Sequence, residues 1–137
     1  MGGRMMEYRL LATDLDGTLL NAKKEISSEN VLAINRALDM GKQVIFSTGR
    51  ALGEVKQFFP LFPQMRYVLC ESGGLLYDRA QQCIISRQVL DPDITRAVLR
   101  YAQPRDIMIQ IMTNGESVIS ESSIAVLEHY RNEYLRE

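Results

Sequence analysis

The sequence is poor in the residues that build disulfide scaffolds and soft-metal sites. Its 137 residues include only two cysteines, Cys70 and Cys83, and a single histidine. The simplest expectation for these two isolated cysteines is two buried or partly buried thiols in a reducing compartment. A zinc site is not expected either, because such sites need further thiol or imidazole ligands close by.

The sequence also lacks a large excess of charge of either sign and lacks long apolar runs. The 16 basic and 17 acidic side chains leave a formal net charge of −1, so no basic surface is expected to attract nucleic acid or an anionic membrane. No apolar run reaches transmembrane length, and residues 1–7 lack the apolar stretch of a signal peptide. We therefore expect a cytoplasmic protein with one core of ordinary size.

What the sequence does contain is an apolar run that ends abruptly in two carboxylates, LLATDLDGTLL from Leu10 to Leu20. An apolar run bounded by turn residues predicts a strand buried on both faces. Because side chains alternate along extended backbone, Asp14 and Asp16 are expected to face the same way, and Gly17 permits a sharp turn after them.

Two neighbouring carboxylates have few structural explanations at the end of a buried strand. They repel each other unless a cation or a shared proton lies between them. Mg²⁺ prefers hard oxygen ligands and often shares a phosphate with one or two carboxylates. Asp14 and Asp16 therefore predict a site for Mg²⁺ and a phosphoryl group at the carboxyl end of a strand. Taken alone, the Asp-x-Asp pair is also typical of calcium loops and helix caps.

The first half of the chain predicts an α/β fold. Strands and helices alternate from Tyr8 to Cys70, and this order gives parallel pairs with right-handed crossovers. Ser27 is the predicted N-cap of the first helix, and Gly41 stands where a C-terminal cap is expected. The pattern therefore predicts a Rossmann-like parallel half-sheet. Its predicted elements are the strands Tyr8–Thr13, Gln43–Ser47 and Tyr67–Cys70 and the helices Ile26–Leu38 and Ala51–Phe59, the second stopped by Pro60.

The pattern changes after Gly74. Hairpin, helix, hairpin and helix follow one another, which predicts an α+β unit with an antiparallel sheet. Asp91 and Pro92 open the first of these helices, and Asn114-Gly115 is typical of a tight hairpin turn. The expected division of the chain is therefore 1–77 and 78–137. The predicted elements are the strands Leu75–Tyr77, Cys83–Val89, Ile107–Met112 and Ser117–Ser120, a helix from Asp91 to Ala102, and a last helix capped by Ser122 or Ser123.

The second and third predicted strands also end in polar residues. Thr48 and Gly49 follow the second strand, and a hydroxyl followed by glycine offers an anion a side-chain donor and a backbone N–H. One βα unit separates them from Asp14, which puts both at the same sheet edge. An ordinary turn glycine is the alternative interpretation. Arg50 is either a phosphate or cap contact or a structural arginine, and Ser72 is a possible substrate contact after the third strand.

The string from Asp14 to Leu20, DLDGTLL, resembles the first motif of the haloacid dehalogenase superfamily, and Ser47-Thr48-Gly49-Arg50 resembles the second. The most similar subgroup is the Cof-like phosphatases with a type-two cap. These usually carry Asn-Gly where this chain has Ser72-Gly73, so Ser72 departs from the pattern and loses the second polar group of the amide.

The resemblance implies a Mg²⁺-dependent phosphatase for small phosphorylated metabolites. Asp14 would be the nucleophile that forms an aspartyl-phosphate, and Asp16 the general acid and later the base. The Asp14 carboxylate and the backbone carbonyl of Asp16 would hold the metal. Residues 1–77 would belong to the core and 78–137 to a cap. The implied phosphate contacts are Thr48 and the backbone N–H groups of Leu15 and Gly49, with Arg50 and Ser72 as possible substrate contacts.

The resemblance also implies pieces that are missing up to Glu137, namely a lysine beside the phosphate and a further acidic loop. We therefore expect a truncated form with little activity alone. Its first strand would have an open edge that another copy could pair with. The alternatives are a non-catalytic interaction or regulatory module that keeps the fold, or a phosphomutase.

Overall fold

A computed structural model describes residues 8–105, 107–121 and 123–124. The chain forms two compact units, residues 1–87 and 88–137. This division falls later than the expected one after residue 77, because the hairpin that follows Gly74 continues the sheet of the first unit. In the part of the chain that the structure describes, no helix is long and apolar enough to cross a membrane.

The first unit is built on a sheet of five strands in the order β1-β2-β3-β4-β5. The first three strands are parallel, and the last two are antiparallel to their neighbours. This confirms the α/β class and the Rossmann-like parallel half-sheet. The strands are Leu10–Thr13 (β1), Gln43–Ser47 (β2), Tyr67–Cys70 (β3), Leu75–Asp78 (β4) and Cys83–Arg87 (β5).

Helix α1, Ser28–Asp39, connects β1 to β2 and begins two residues later than predicted, directly after the predicted N-cap Ser27. The Ser27 hydroxyl accepts a hydrogen bond from the Asn30 N–H at 3.3 Å, which is the expected N-cap contact. Gly41 follows the helix with a φ of 75°, a left-handed conformation that glycine adopts without strain.

The connection from β2 to β3 differs from the single helix that the sequence predicts. Helix α2 is only Leu52–Val55, and a 3₁₀ helix continues from Lys56 to Leu61. Pro60 lies inside this 3₁₀ helix and does not stop it. The fixed φ of proline is compatible with a short 3₁₀ segment, where few hydrogen bonds depend on the missing N–H.

The core of the first unit packs between the sheet and these helices. Phe46 of β2 meets Phe62 edge to face, with ring centroids 5.5 Å apart. The side chains of Val44 and Val68 are almost completely buried. Aromatic and branched side chains from β2, β3 and the connecting helices therefore supply most of the hydrophobic stabilisation of the unit.

β1 is not buried on both faces, so that prediction is wrong for the described chain. Leu10 is 58% exposed and Leu11 52% exposed. Within the described sheet β1 pairs with β2 alone and stands at the edge. An apolar run predicts a buried strand only when both neighbouring positions are filled, and here one side of β1 has no described neighbour. As far as the described residues go, the expected open edge is therefore present.

The second unit contains α3, Pro92–Ala102, and a two-stranded antiparallel sheet of β6, Gln110–Thr113, and β7, Glu116–Ile119. The Asp91 carboxylate accepts a hydrogen bond from the Asp93 N–H at 2.7 Å and so caps α3 as predicted. Asn114 and Gly115 have φ values of 52° and 81°, which suits the predicted hairpin turn. After Ile124 the predicted last helix lies outside the described residues.

Candidate active site

The two carboxylates lie on a wide turn that begins where β1 ends. Asp14 precedes the turn, Leu15–Leu19, and its Oδ1 accepts a hydrogen bond from the Leu15 N–H at 2.7 Å. Gly17 has a φ of 73°, which a side chain would disfavour. Leu15 is fully buried, whereas Asp14 and Asp16 on either side of it are exposed. The buried leucine thus anchors the turn and leaves both carboxylates accessible at the carboxyl end of β1.

Asp16 is held by two cations. The Arg50 Nε lies 2.6 Å from Oδ2 of Asp16 and its Nη2 lies 2.9 Å from Oδ1. The Lys24 Nζ donates to the same Oδ1 at 2.9 Å. The hydrogen bonds from Arg50 and then from Lys24 hold the pKa of Asp16 well below its usual range, and the same contact raises the pKa of Arg50. In this arrangement Asp16 is ionised and has no proton to give.

Lys24 is a contact that sequence reasoning missed. It lies in a polar turn whose backbone is ordered by Asn21, because the Asn21 side chain accepts hydrogen bonds from the Lys23 and Glu25 N–H groups at 2.9 and 3.0 Å. The asparagine and the charged residues indicate a turn but not its direction. Only the folded loop brings this lysine back to Asp16.

Thr48 is the buried hydroxyl of the site, at 5% exposed. Its Oγ1 accepts a hydrogen bond from the Arg50 N–H at 3.2 Å, and no described residue accepts its own hydrogen, which can therefore be donated to a ligand. Among the described residues, nothing accepts a hydrogen bond from the Gly49 N–H. β1 and β2 are parallel neighbours with Thr13 beside Phe46. The loops that carry Asp14 and Thr48 therefore leave the same sheet edge, as expected.

The loop after β3 closes against the loop after β2. The Ser72 N–H donates to the Thr48 carbonyl at 3.1 Å, and the Glu71 N–H donates to the Arg50 carbonyl at 3.0 Å. A Cβ on Gly49 would stand 3.4 Å from the Ser72 Oγ. Glu71 and Ser72 have φ values of 56° and 54°, which non-glycine residues seldom adopt. Ser72 thus lies directly beside the phosphate-site candidate Gly49.

Glu71 and Cys70 behave differently from simple surface residues. The Glu71 Oε1 is enclosed and has no hydrogen-bond partner among the described residues. Burial raises the pKa of the Cys70 thiol to about 12, with Glu71 adding to the effect. A thiol that stays protonated is a poor nucleophile and a poor metal ligand, so Cys70 is a packing residue at the end of β3.

The structure places the predicted site residues on three consecutive loops, at the carboxyl ends of the parallel strands β1, β2 and β3. Asp16 contacts Arg50, Thr48 contacts Arg50 and Ser72, and Gly49 lies beside Ser72. Leu15 differs from its expected role, because its N–H is committed to Asp14.

The carboxylate oxygens of Asp14 and Asp16 are the type of ligand atom that Mg²⁺ prefers. Asp14 and Asp16 supply hard oxygen atoms, and Mg²⁺ needs only one or two carboxylates when waters and a phosphate complete its shell. Within the described ranges, no group of three or more acidic, histidine or cysteine side chains could hold a metal ion. With both oxygens of Asp16 engaged by cations, the Asp14 carboxylate is the more accessible donor.

Fold and site together define an α/β protein with paired carboxylates and a threonine-glycine loop at the carboxyl edge of a Rossmann-like sheet. The family model described as haloacid dehalogenase-like hydrolase matches residues 11–136. The chain belongs to this family, and the resemblance to its Cof-like members is confirmed.

Two relatives of this chain are named as phosphatases. The chain is 35% identical over 106 residues to the 5-amino-6-(5-phospho-D-ribitylamino)uracil phosphatase YwtE of Bacillus subtilis (strain 168), covering 77% of this chain and 36% of that protein. It is 30% identical over 107 residues to phosphatase YwpJ of the same organism, covering 78% and 37%. Among solved structures, a haloacid dehalogenase-like hydrolase from B. subtilis matches with a TM-score of 0.76 and 26% identity, covering 88% of this chain and 42% of that one. The chain thus spans less than half the length of these relatives.

Proposed function

We propose that the protein is a Mg²⁺-dependent phosphatase that acts on small phosphorylated metabolites through an aspartyl-phosphate. The observation that supports this best is the parallel pairing of β1 with β2, with Thr13 beside Phe46. Because of this pairing, the loop that carries Asp14 and Asp16 and the loop that carries Thr48 and Gly49 leave the sheet at the same end. The naming of the relatives YwtE and YwpJ as phosphatases supports the same class of reaction.

In the proposed first step, the Asp14 carboxylate attacks phosphorus, a phosphorus–oxygen bond to Asp14 forms and the ester bond breaks. Asp16 gives a proton to the leaving oxygen, so that an alcohol departs. In the second step, water attacks the phosphorus, Asp16 takes its proton, and phosphate leaves Asp14. Arg50 and Lys24 must release Asp16 before it can carry a proton, because both now stabilise its charged form.

The remaining residues bind and orient the phosphoryl group. Thr48 can donate its hydroxyl hydrogen and Gly49 its N–H to phosphate oxygens. The Leu15 N–H orients Asp14 until an oxygen of the substrate competes for it, and Ser72 contacts the substrate. Mg²⁺ held by the Asp14 carboxylate and the Asp16 backbone carbonyl would neutralise charge, so that one anion can approach another. The second unit, residues 88–137, is proposed to belong to a cap that excludes water.

We further propose that the 137-residue chain turns over slowly by itself. No lysine contacts Asp14 among the described residues, and Lys24 is engaged with Asp16. The open edge of β1 supports pairing with a second copy. Cys70 is buried as expected, whereas Cys83 is exposed and not buried or partly buried as expected. Both thiols are free, which supports a reducing compartment such as the cytoplasm.

A second candidate function is a non-catalytic interaction or regulatory module. The double engagement of Asp16 by Arg50 and Lys24 favours it, because a carboxylate locked in two ion pairs is not available as an acid.

The test is hydrolysis of a generic phosphomonoester with Mg²⁺ by the wild-type chain and the Asp14→Asn variant. We expect slow turnover that falls by about three orders of magnitude in the variant, as when a nucleophile is removed. Asp39→Asn is the matched control, because Asp39 is an exposed carboxylate whose contact is with Gln64.

The same samples distinguish the two functions. A phosphoryl adduct on Asp14, detected by mass spectrometry after rapid acid quenching, supports the phosphatase. Turnover that survives Asp14→Asn contradicts it, and a well-folded chain with neither turnover nor adduct favours the non-catalytic module.

A further inference from the structure

A cavity lies at the other end of β3 from the candidate active site. It has a volume of about 700 Å³. Arg66 immediately precedes β3, and β4 returns antiparallel so that Tyr67 stands beside Asp78. The Arg79 N–H donates to the Arg66 carbonyl at 2.8 Å. These residues mark the amino end of β3, whereas Ser72 follows its carboxyl end, so this cavity is separate from the candidate active site.

Three cationic side chains line this cavity, which we call the basic pocket: Lys56, Arg66 and Arg79. They come from three different elements, namely the 3₁₀ helix, the approach to β3 and the turn after β4. The basic pocket has no carboxylate in its lining. Within the part of the chain that the structure describes, the one acidic contact of these cations is Asp78, whose Oδ2 accepts hydrogen bonds from the Nε and Nη2 of Arg66 at 3.0 and 2.8 Å. Positive charge is therefore in excess there.

Arg79 is a partly buried cation whose side-chain hydrogen bonds go to backbone carbonyls. Its Nη1 donates to the carbonyls of Phe62 and Met65, both at 2.6 Å, and its Nη2 donates to the Phe59 carbonyl at 3.0 Å. These acceptors are dipoles, and no carboxylate contacts Arg79 among the described residues. Burial lowers the pKa of Arg79, which is the expected effect on a cation that lacks a counter-charge. An anion in the basic pocket would supply the missing negative charge.

Two aromatic side chains, Phe59 and Tyr77, also line the pocket. The rings of Phe59 and Tyr77 stack with centroids 6.4 Å apart and an interplanar angle of 15°, and the Arg79 guanidinium lies 4.3 Å from the Phe59 centroid. The pocket volume lies in the range of small-molecule sites, roughly 300–1,000 Å³. A compact anion with an organic body therefore fits the pocket better than a polymer does.

We propose that the basic pocket binds a small phosphate ester, with Lys56 and Arg66 facing the phosphate, Arg79 adding positive charge beside them, and Phe59 and Tyr77 facing its organic body. A phosphate is favoured over a single carboxylate because several cations converge, and Arg66 keeps its Nη1 for a phosphate oxygen. This site is independent of the proposed catalytic role of Asp14 and Asp16.

The test is an NMR titration of the ¹⁵N-labelled chain, without Mg²⁺, with adenosine 5′-monophosphate, inorganic phosphate and adenosine as separate probes. We expect the nucleotide to shift the amide signals of residues 64–66 and 79–82. Lys56→Gln should weaken its binding by about fivefold, as expected for one exposed charge contact. Arg36→Gln is the matched control, because Arg36 is also exposed and lies on α1 outside the pocket.

Other outcomes separate this proposal from the proposed function. Asp14→Asn should leave nucleotide binding at the basic pocket unchanged even if it abolishes turnover. The proposal is overturned if adenosine binds as tightly as the nucleotide, or if Lys56→Gln binds as well as wild type. It is also overturned if the only amides that shift are those near Thr48 and Gly49. Arg66→Lys keeps the positive charge at this position and should bind the nucleotide at least as well as Lys56→Gln does. This comparison separates the effect of a lost charge from the effect of misfolding.

Discussion

Two cationic neighbours, Arg50 and Lys24, stabilise the negative charge of Asp16 to different extents. Arg50 makes a bidentate contact, and Lys24 a single one. A planar fork of two N–H groups matches both oxygens of a carboxylate, which a lysine ammonium cannot do. Arg50 therefore both connects the loops after β1 and β2 and determines whether Asp16 can carry a proton.

We predict that Arg50→Ala raises the pKa of Asp16 toward its ordinary value of 3.8, because the largest stabilisation of the carboxylate is lost. Lys24→Ala should raise it less, and Lys23→Ala, in the same turn, should leave it unchanged. Carboxyl ¹³C NMR titration of Asp16 measures this directly. If Arg50→Ala and Lys24→Ala raise the pKa of Asp16 equally, Arg50 is not the stronger of the two contacts.

At the scale of elements, the hairpin β4-β5 is tied to the sheet by the buried carboxylate of Asp78, which is 1% exposed. It binds Arg66 in front of β3, and its Oδ1 accepts hydrogen bonds from the Ala80 and Gln81 N–H groups at 2.9 and 3.2 Å. One side chain therefore closes the turn after β4 and links it to the neighbouring strand.

We predict that Asp78→Asn lowers the free energy of unfolding and reduces its dependence on acid. Arg66 and the turn amides hold the pKa of Asp78 below its ordinary value of 3.8. The stabilisation is thus present above that value and is lost as the pH falls through the lower folded pKa, because the unfolded chain binds the proton first. Urea unfolding at about pH 7 and about pH 3 measures it.

The exposed Asp39 is the control for this prediction. Asp39→Asn should leave both the stability and its pH dependence close to those of wild type. If Asp78→Asn loses as much stability at low pH as wild type does, the ionised carboxylate of Asp78 is not what ties the hairpin to the sheet.

At the scale of the whole molecule, the open edge of β1 is the exposed surface with the clearest consequence. Its backbone faces no described strand on one side, and Leu10 and Leu11 are more than half exposed. An apolar edge strand without charge or proline is a template for pairing with another chain. The molecule is therefore expected to associate through this edge.

We predict that the chain dimerises with a concentration dependence that sedimentation velocity can follow, and that Leu11→Lys shifts it toward monomer. A charge on an edge strand disfavours strand addition. Leu32→Lys is the matched control, because Leu32 is an exposed leucine of α1 and this change should leave association intact. A wild-type chain that stays monomeric at every concentration would contradict edge pairing.

The local elements and the family could be predicted from the sequence because their signals lie within a few residues. The strands Gln43–Ser47 and Tyr67–Cys70, the Ser27 cap and the Asn114-Gly115 turn each follow from short-range patterns. The string DLDGTLL after β1 was enough to indicate the family that the comparison confirms.

Tertiary structure alone decided which distant groups meet. Asp16 and Arg50 are 34 residues apart, and their contact depends on the parallel pairing of β1 with β2. The exposure of β1, the continuation of the sheet into β4 and β5, and the convergence of Lys56, Arg66 and Arg79 likewise arise from packing. A periodic pattern reports which residues avoid water, but not which neighbour covers them, because that choice is made between segments far apart in the chain.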